Sequence, residues 1–132
     1  MLPVTWATIR VWLHVTAAAV WVGGQLTLAG LVPGLRALAP DAPRAVARRF
    51  SQLAWPAFGV LVATGIWNVV ALDPDWDTDY GRTVLVKIAV VAASGITAAV
   101  HGRARSRPAL AVSGAASAVT SLGALFLGVL LG

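Results

Sequence analysis

The sequence predicts an all-α protein, a four-helix transmembrane bundle, and three observations carry that prediction. Of the 132 residues, 58% are hydrophobic and only 11% are charged. That is too little polar surface to coat a soluble core, even allowing for the apolar area that soluble proteins expose. Four apolar stretches, each about the twenty residues that cross bilayer hydrocarbon as a helix, occupy 11–32, 53–72, 83–100 and 109–131. They fill the chain almost completely, so 1–132 reads as a single four-span membrane domain. The connections between them alternate in charge, first basic, then acidic, then basic. Cysteine is absent and the one methionine is Met1, which excludes a disulfide framework, a thiolate site and an internal soft sulfur ligand.

The first span contains VWLHVTAAAVWVGG, residues 11–24, which sets a histidine inside an otherwise apolar helix. Polar side chains are costly in lipid, so such a residue faces a bundle interior and has a partner. At 3.6 residues per turn His14, Ala18, Trp21 and Gln25 fall within about 40° of one face, which therefore looks inward. The lead before this span carries its positive charge at Arg10 and the apolar run is long, both unlike a cleaved signal peptide. The segment is expected to stay in the membrane.

Residues 33–50 read as a connection, with Pro33, Gly34, Pro40 and Pro43 among Arg36, Arg44, Arg48 and Arg49. Asp41 before Ala42 and Pro43 marks a helix start, an acidic cap followed by proline in the first turn. The second helix then begins outside the lipid and spans 53–72, with a bend expected at Pro56. The next connection holds Asp73, Asp75, Asp77 and Asp79 with a single arginine, and Tyr80 and Gly81 lead into the third span as a turn. After it comes HGRARSRP with Arg103, Arg105 and Arg107. In the fourth span Ser113, Gly114, Ser117, Thr120 and Ser121 suit close helix packing through small side chains. Gly23 and Gly24 read the same way, since no strand-turn-helix context makes them a phosphate loop. No internal repeat is evident.

Short basic loops mark the cytoplasmic side, so both chain ends are expected outside, in a multi-pass protein of the plasma membrane. The net charge of +5 sits in these loops, which points to topology and to anionic lipid headgroups at loops one and three and away from nucleic acid. Trp6, Trp12, Trp76 and Tyr80 fall where an outer aromatic belt is expected. His14, Asn68 and Lys87 each lie about four residues in from the outer end of their spans, roughly 6 Å below the edge at 1.5 Å rise per residue. Three polar groups from three helices thus converge on one level, with Thr64 one turn deeper than Asn68. His14 is either a packing histidine or a metal or haem ligand. Lys87 is either a lysine whose amine reaches back to the interface or a buried amine that holds an anionic group. His101 ends the third span, of order 20 Å from His14 along the normal, and reads as an interfacial residue. Two histidines so placed cannot clamp one iron. No nucleophile, base and acid set appears, and hydrolysis has no support.

The segments WLHVTAAAVWVGG (12–24), RRFSQLAWPAFGVLVATGIWN (48–68) and DTDYGRTVLVKIAVV (77–91) together resemble the copper-resistance D (CopD-type) integral membrane domain. Arginine-Phe-Ser, Thr-Gly, Tyr-Gly and a lysine in the next helix carry the resemblance, which covers nearly the whole chain. It implies copper handling in uptake, homeostasis or resistance, with His14 beside Asn68 or Gln25 as a place for copper entering from the outer side. The chain is more distantly similar to haem-dependent membrane protoporphyrinogen oxidases, where a first-helix histidine and a later lysine match His14 and Lys87. That resemblance implies instead a haem b redox protein, quinone-linked or oxidase-like, with His14 axial and Lys87 or an arginine on a propionate. Copper and haem b both stay open on the sequence, as does membership of a homo-oligomer or larger membrane complex. The lack of sulfur ligands departs from what Cu(I) carriage favours.

The loop charges generate a first testable expectation. Site-directed cysteine labelling in intact cells should place residues 36–49 and 103–107 in the cytoplasm and residues 73–79 outside. Labelling of 73–79 from the cytoplasm would overturn both the orientation and the shared depth of His14, Asn68 and Lys87.

Overall fold

A computed structural model describes residues 2–132; Met1 lies outside them. Four long helices dominate it: α1, Trp6–Leu38; α2, Ala42–Leu72; α3, Asp79–Arg103; and α4, Arg107–Leu130. No strand occurs among the described residues, and all four helices are long and apolar enough to cross a membrane. The all-α, four-span class is therefore what the chain adopts. It divides into two compact units, one ending at Asp73 and one running from Pro74 to Gly132. The first is a hairpin of α1 and α2, the second a hairpin of α3 and α4.

The helices outrun the apolar stretches because their ends are set by caps. α1 begins at Trp6, where Thr5 and Thr8 form a capping box: the Thr8 amide donates to Thr5 Oγ1 at 3.2 Å and the Thr5 amide to Thr8 Oγ1 at 3.4 Å. This satisfies donors that a helix start leaves unpaired. The expected break at Pro33 does not occur, since Pro33 lies inside α1. A proline there removes one backbone bond, but the leucines and alanine that follow are strong helix formers. The helix stops instead at Ala39, extended at φ −158° and ψ 139°, the conformation required before Pro40.

α2 starts at Ala42 with proline in its first turn, as expected, but the Asp41 side chain makes no capping bond. It ends at Asp73, which is left-handed at φ 42°, a conformation that Asp tolerates better than most residues. The acidic connection is built from its own side chains: Asp75 Oδ1 accepts from the Asp77 amide at 3.0 Å, and the Thr78 hydroxyl donates to Asp75 O at 2.6 Å. Thr78 then caps α3 by accepting from the Gly81 amide at 3.2 Å. Tyr80 and Gly81 are consequently the first turn of α3 and not a preceding turn. Ser106 caps α4 in the same manner through the Ala109 amide.

Inside α1, residues Ala19–Gly23 form a π-turn. The extra residue in that turn allows two sequence neighbours, Trp21 and Val22, to be buried together, 3% and 7% exposed. It also shifts the ideal 3.6-residue face, because the turn falls between His14 and Gln25. Trp21 packs on Phe58 and Trp55 of α2, with ring centroids 4.4 and 5.5 Å away. Gly24 faces the Phe50 ring so closely that a Cβ would collide with it, whereas Gly23 meets nothing within 4 Å. In the second hairpin the packed stripe is hydroxylic: Ser113, Ser117 and Ser121 of α4 are buried, and Ser121 shares a 2.7 Å hydrogen bond with Ser94 of α3. Large apolar side chains such as Val15, Val62, Ile96 and Phe126 point outward, as they must where hydrocarbon is the solvent.

The acidic connection folds back on α3 at Gly81. A Cβ there would run into the Asp75 carbonyl oxygen and lie 2.7 Å from Trp76 Cα. Gly81→Ala should therefore cost about 1–3 kcal/mol through backbone displacement, read as a lower thermal midpoint in detergent. Gly59→Ala, with nothing within 4 Å, should be stabilising by up to about 1 kcal/mol. Equal midpoints for wild type and Gly81→Ala would show that the connection does not pack on α3 in solution.

Candidate functional site

In the first hairpin the structure joins two of the residues singled out from the sequence. His14 of α1 and Thr64 of α2 meet through Nδ1 and Oγ1 at 2.9 Å. Thr64 is buried, 5% exposed, and its hydroxyl donates to the Val60 carbonyl of its own helix at 2.7 Å, with Leu61 O at 3.2 Å. A hydroxyl has one proton, and here the backbone takes it. Thr64 Oγ1 therefore accepts from His14, which puts the imidazole proton on Nδ1 and the lone pair on Nε2. Ligating histidines are commonly held in this way, with one ring nitrogen fixed by a partner and the other presented to a metal. Gly65, next to Thr64, admits the ring: a Cβ there would lie 3.6 Å from His14 Cε1.

The other residues of the predicted set are placed as follows. Gln25 Nε2 donates to the Trp21 carbonyl at 3.0 Å, at the edge of the π-turn. Asn68 is half-buried one turn beyond Thr64 on α2. Lys87 belongs to the second hairpin, where its amine packs on α4 so that a Cβ at Gly128 would lie 3.2 Å from Nζ. Among the described residues no three His, Cys, Asp or Glu side chains gather closely enough to hold a metal. A metal at His14 would accordingly rest on one imidazole with neutral oxygen donors, an arrangement weaker than a thiolate or multi-histidine cage.

Two features were missed in the sequence. Arg10, one turn before His14 on α1, has a buried Nε without a hydrogen-bond partner among the described residues; its single charge at the end of an apolar run reads as flanking when only hydropathy is considered. The second is the partner of His101 across its hairpin. The imidazole Nδ1 lies 3.1 Å from Ser113 Oγ of α4, and a Cβ at Gly114 would come within 3.1 Å of its Cε1. The Ser-Gly pair is visible in the sequence, but its pairing with a histidine twelve positions earlier needs the turn between α3 and α4.

Residues 44–131 match the family model described as Copper resistance protein D. A curated relative, the Copper transport protein CutJ of Bacillus subtilis (strain 168), is 34% identical over 95 residues, which is 67% of this chain and 17% of that protein. The matched region is thus a small part of the relative's length. No solved structure matches the chain. The family match takes in Thr64, Asn68, Lys87 and His101, and begins after His14.

The hydrogen bond between His14 and Thr64 is open to direct test. Thr64→Val keeps the shape and removes the acceptor, leaving a part-buried N–H unpaired at a cost of about 1–3 kcal/mol. In 15N-histidine spectra the wild type should show His14 protonated at Nδ1, and the variant should lose that preference. An Nε2-protonated wild type would reverse the assignment of the lone pair.

Proposed function

Since the chain belongs to the copper resistance protein D family, a multi-pass membrane family, we propose that it handles copper as cargo, in uptake from the outer side, and that His14 is the imidazole that receives the ion. The observation that carries this reading is the 2.9 Å bond from His14 to Thr64, which orients the ring and assigns its lone pair to Nε2. Imidazole suits copper. The name of the Bacillus subtilis relative, a copper transport protein, supports movement of the ion. Neither that name nor the family description mentions haem.

In this reading Asn68, one turn beyond Thr64 on α2, offers a neutral oxygen to the ion beside His14, whereas Gln25, eleven residues further along α1, lies roughly 16 Å from His14 and drops out of the site. Both chain ends face outward. The basic residues Arg44, Arg48 and Arg49, which line an open recess with Asp41 and Gln52 at the start of α2, lie at the cytoplasmic surface and contact anionic headgroups. Membership of a homo-oligomer or larger membrane complex belongs to the same reading.

The test is Cu(I) binding by tag-free protein in detergent, measured by competition with a chromophoric chelator. His14→Ala should remove one bound equivalent with the helical content unchanged. Lys87→Met, which keeps the stem and removes a costly ammonium, should leave the fold intact or firmer; a changed copper affinity would put Lys87 at the site. A wild type that binds no copper, or one purified with a Soret band that His14→Ala abolishes, would replace the copper reading with another.

A further inference from the structure

Arg10 is a cation set into the apolar run of α1, and its guanidinium is incompletely matched. Its Nε is buried and has no hydrogen-bond partner among the described residues. A guanidinium cannot shed its charge to escape burial, as an amine can. The first hairpin supplies no carboxylate to pair with it. Its two acids are Asp41 and Asp73. Asp41 precedes α2 at the far end of the hairpin, and Asp73, the C-cap of α2, forms no ion pair with Arg10.

The bond between His14 and Thr64 fixes the register of α1 against α2, which run antiparallel. Arg10 stands four residues before His14, and Asn68 four residues after Thr64. They therefore share a level, about 6 Å from that bond at 1.5 Å rise per residue, toward the end where α1 starts and α2 stops. Residues four apart lie on one helical face, and the faces of His14 and Thr64 look at each other. Arg10 and Asn68 thus line the same seam from opposite sides. Both are half-buried, and beyond them the seam ends at Thr5 and Leu72, which are exposed. A carboxamide has an acceptor oxygen and an N–H2 with two donors, so Asn68 can give its oxygen to an ion beside His14 and its N–H2 to a guest at the level of Arg10.

We propose that Arg10 and Asn68 form an anion site in the first hairpin, taking a halide or a carboxylate one turn from His14. Together the two side chains present N–H donors and a fixed positive charge, which repel a metal cation and select a guest with lone pairs and a negative charge. The planar edge of a guanidinium matches a carboxylate in a two-pronged contact, and a halide accepts from the same donors. Away from water the attraction is weakly screened, so a buried donor with no internal acceptor is where a small anion gains most. The guest also offsets the guanidinium charge close to His14, so that a cation received there meets a neutralised neighbour. That consequence rests on the copper reading of His14; the anion site does not.

The probes are chloride and formate, added to the purified chain in a nonionic detergent with sodium HEPES as the background salt. The 35Cl resonance should broaden saturably with the wild type. Arg10→Gln should weaken that binding about tenfold or more, the scale of a hydrogen bond to a charged group, while the loop arginines contribute the same background in both proteins. Formate that narrows the line again by competition shows that a carboxylate is also taken; formate without effect leaves a halide site. Asn68→Asp places a carboxylate opposite Arg10, so it should displace the chloride with helical content kept and the thermal midpoint equal or higher. A folded Arg10→Gln protein that broadens the line as the wild type does would overturn the site, and so would an Asn68→Asp protein that binds chloride undiminished. A wild type that binds chloride at Arg10 but no Cu(I) would sink the copper reading alone and leave the anion site standing.

Discussion

The structure depends on what its hydroxyl side chains do with their single proton. Thr64, Thr97, Ser113 and Thr120 each donate to the carbonyl four residues earlier in their own helix, at 2.5 to 2.8 Å. Away from water this bond is the one always within reach, and it uses the only donor the group has. What remains toward the neighbouring helix is a lone pair. Opposite Thr64 and Ser113 the group packed there is an imidazole, whose N–H meets that lone pair. The tautomer of both histidines follows from helix geometry, two links removed from any metal.

Close approach of the helices follows from the same economy of side-chain size. Where oxygen and imidazole must meet across two helices, the residue beside the hydroxyl is glycine, at Gly65 and Gly114. Between α3 and α4 the buried Ser94 and Ser121, about 1% exposed, take the place that leucines fill in a soluble bundle. Bulk is concentrated in the first hairpin, where Trp21 of the π-turn clusters with Trp55 and Phe58. Large aliphatic side chains are spent on the outside, against lipid.

Class, helix number and the inward role of His14 were legible in the sequence because composition and a lone histidine in an apolar run state them directly. Helix ends were less so. Hydropathy marks where lipid begins, not where backbone bonds cease, so Thr5, Thr78 and Ser106 extend helices beyond the apolar windows. Pro33 misled because the loss of one backbone bond does not end a helix whose following residues favour it, while the actual stop is Ala39, extended ahead of Pro40. The π-turn has no compositional mark, and it moves the face on which Gln25 was counted. Thr64 was placed one turn deeper than Asn68, yet it is Thr64 that reaches His14, because the axial register of α1 against α2 is set by packing and not by hydropathy.

Affinity is the remaining constraint on a copper site without sulfur. A thiolate or thioether cage would hold Cu(I) tightly, and with no cysteine and no methionine beyond Met1 the chain cannot build one. Its means of adjustment are the polarity of the supporting bond and the depth of the ring, both of which act on imidazole basicity. At His14 the supporting group is Thr64, 5% exposed and 2.9 Å away. A neutral hydroxyl raises the basicity of the ring it supports less than a carboxylate would, so a copper site at His14 would hold its ion loosely.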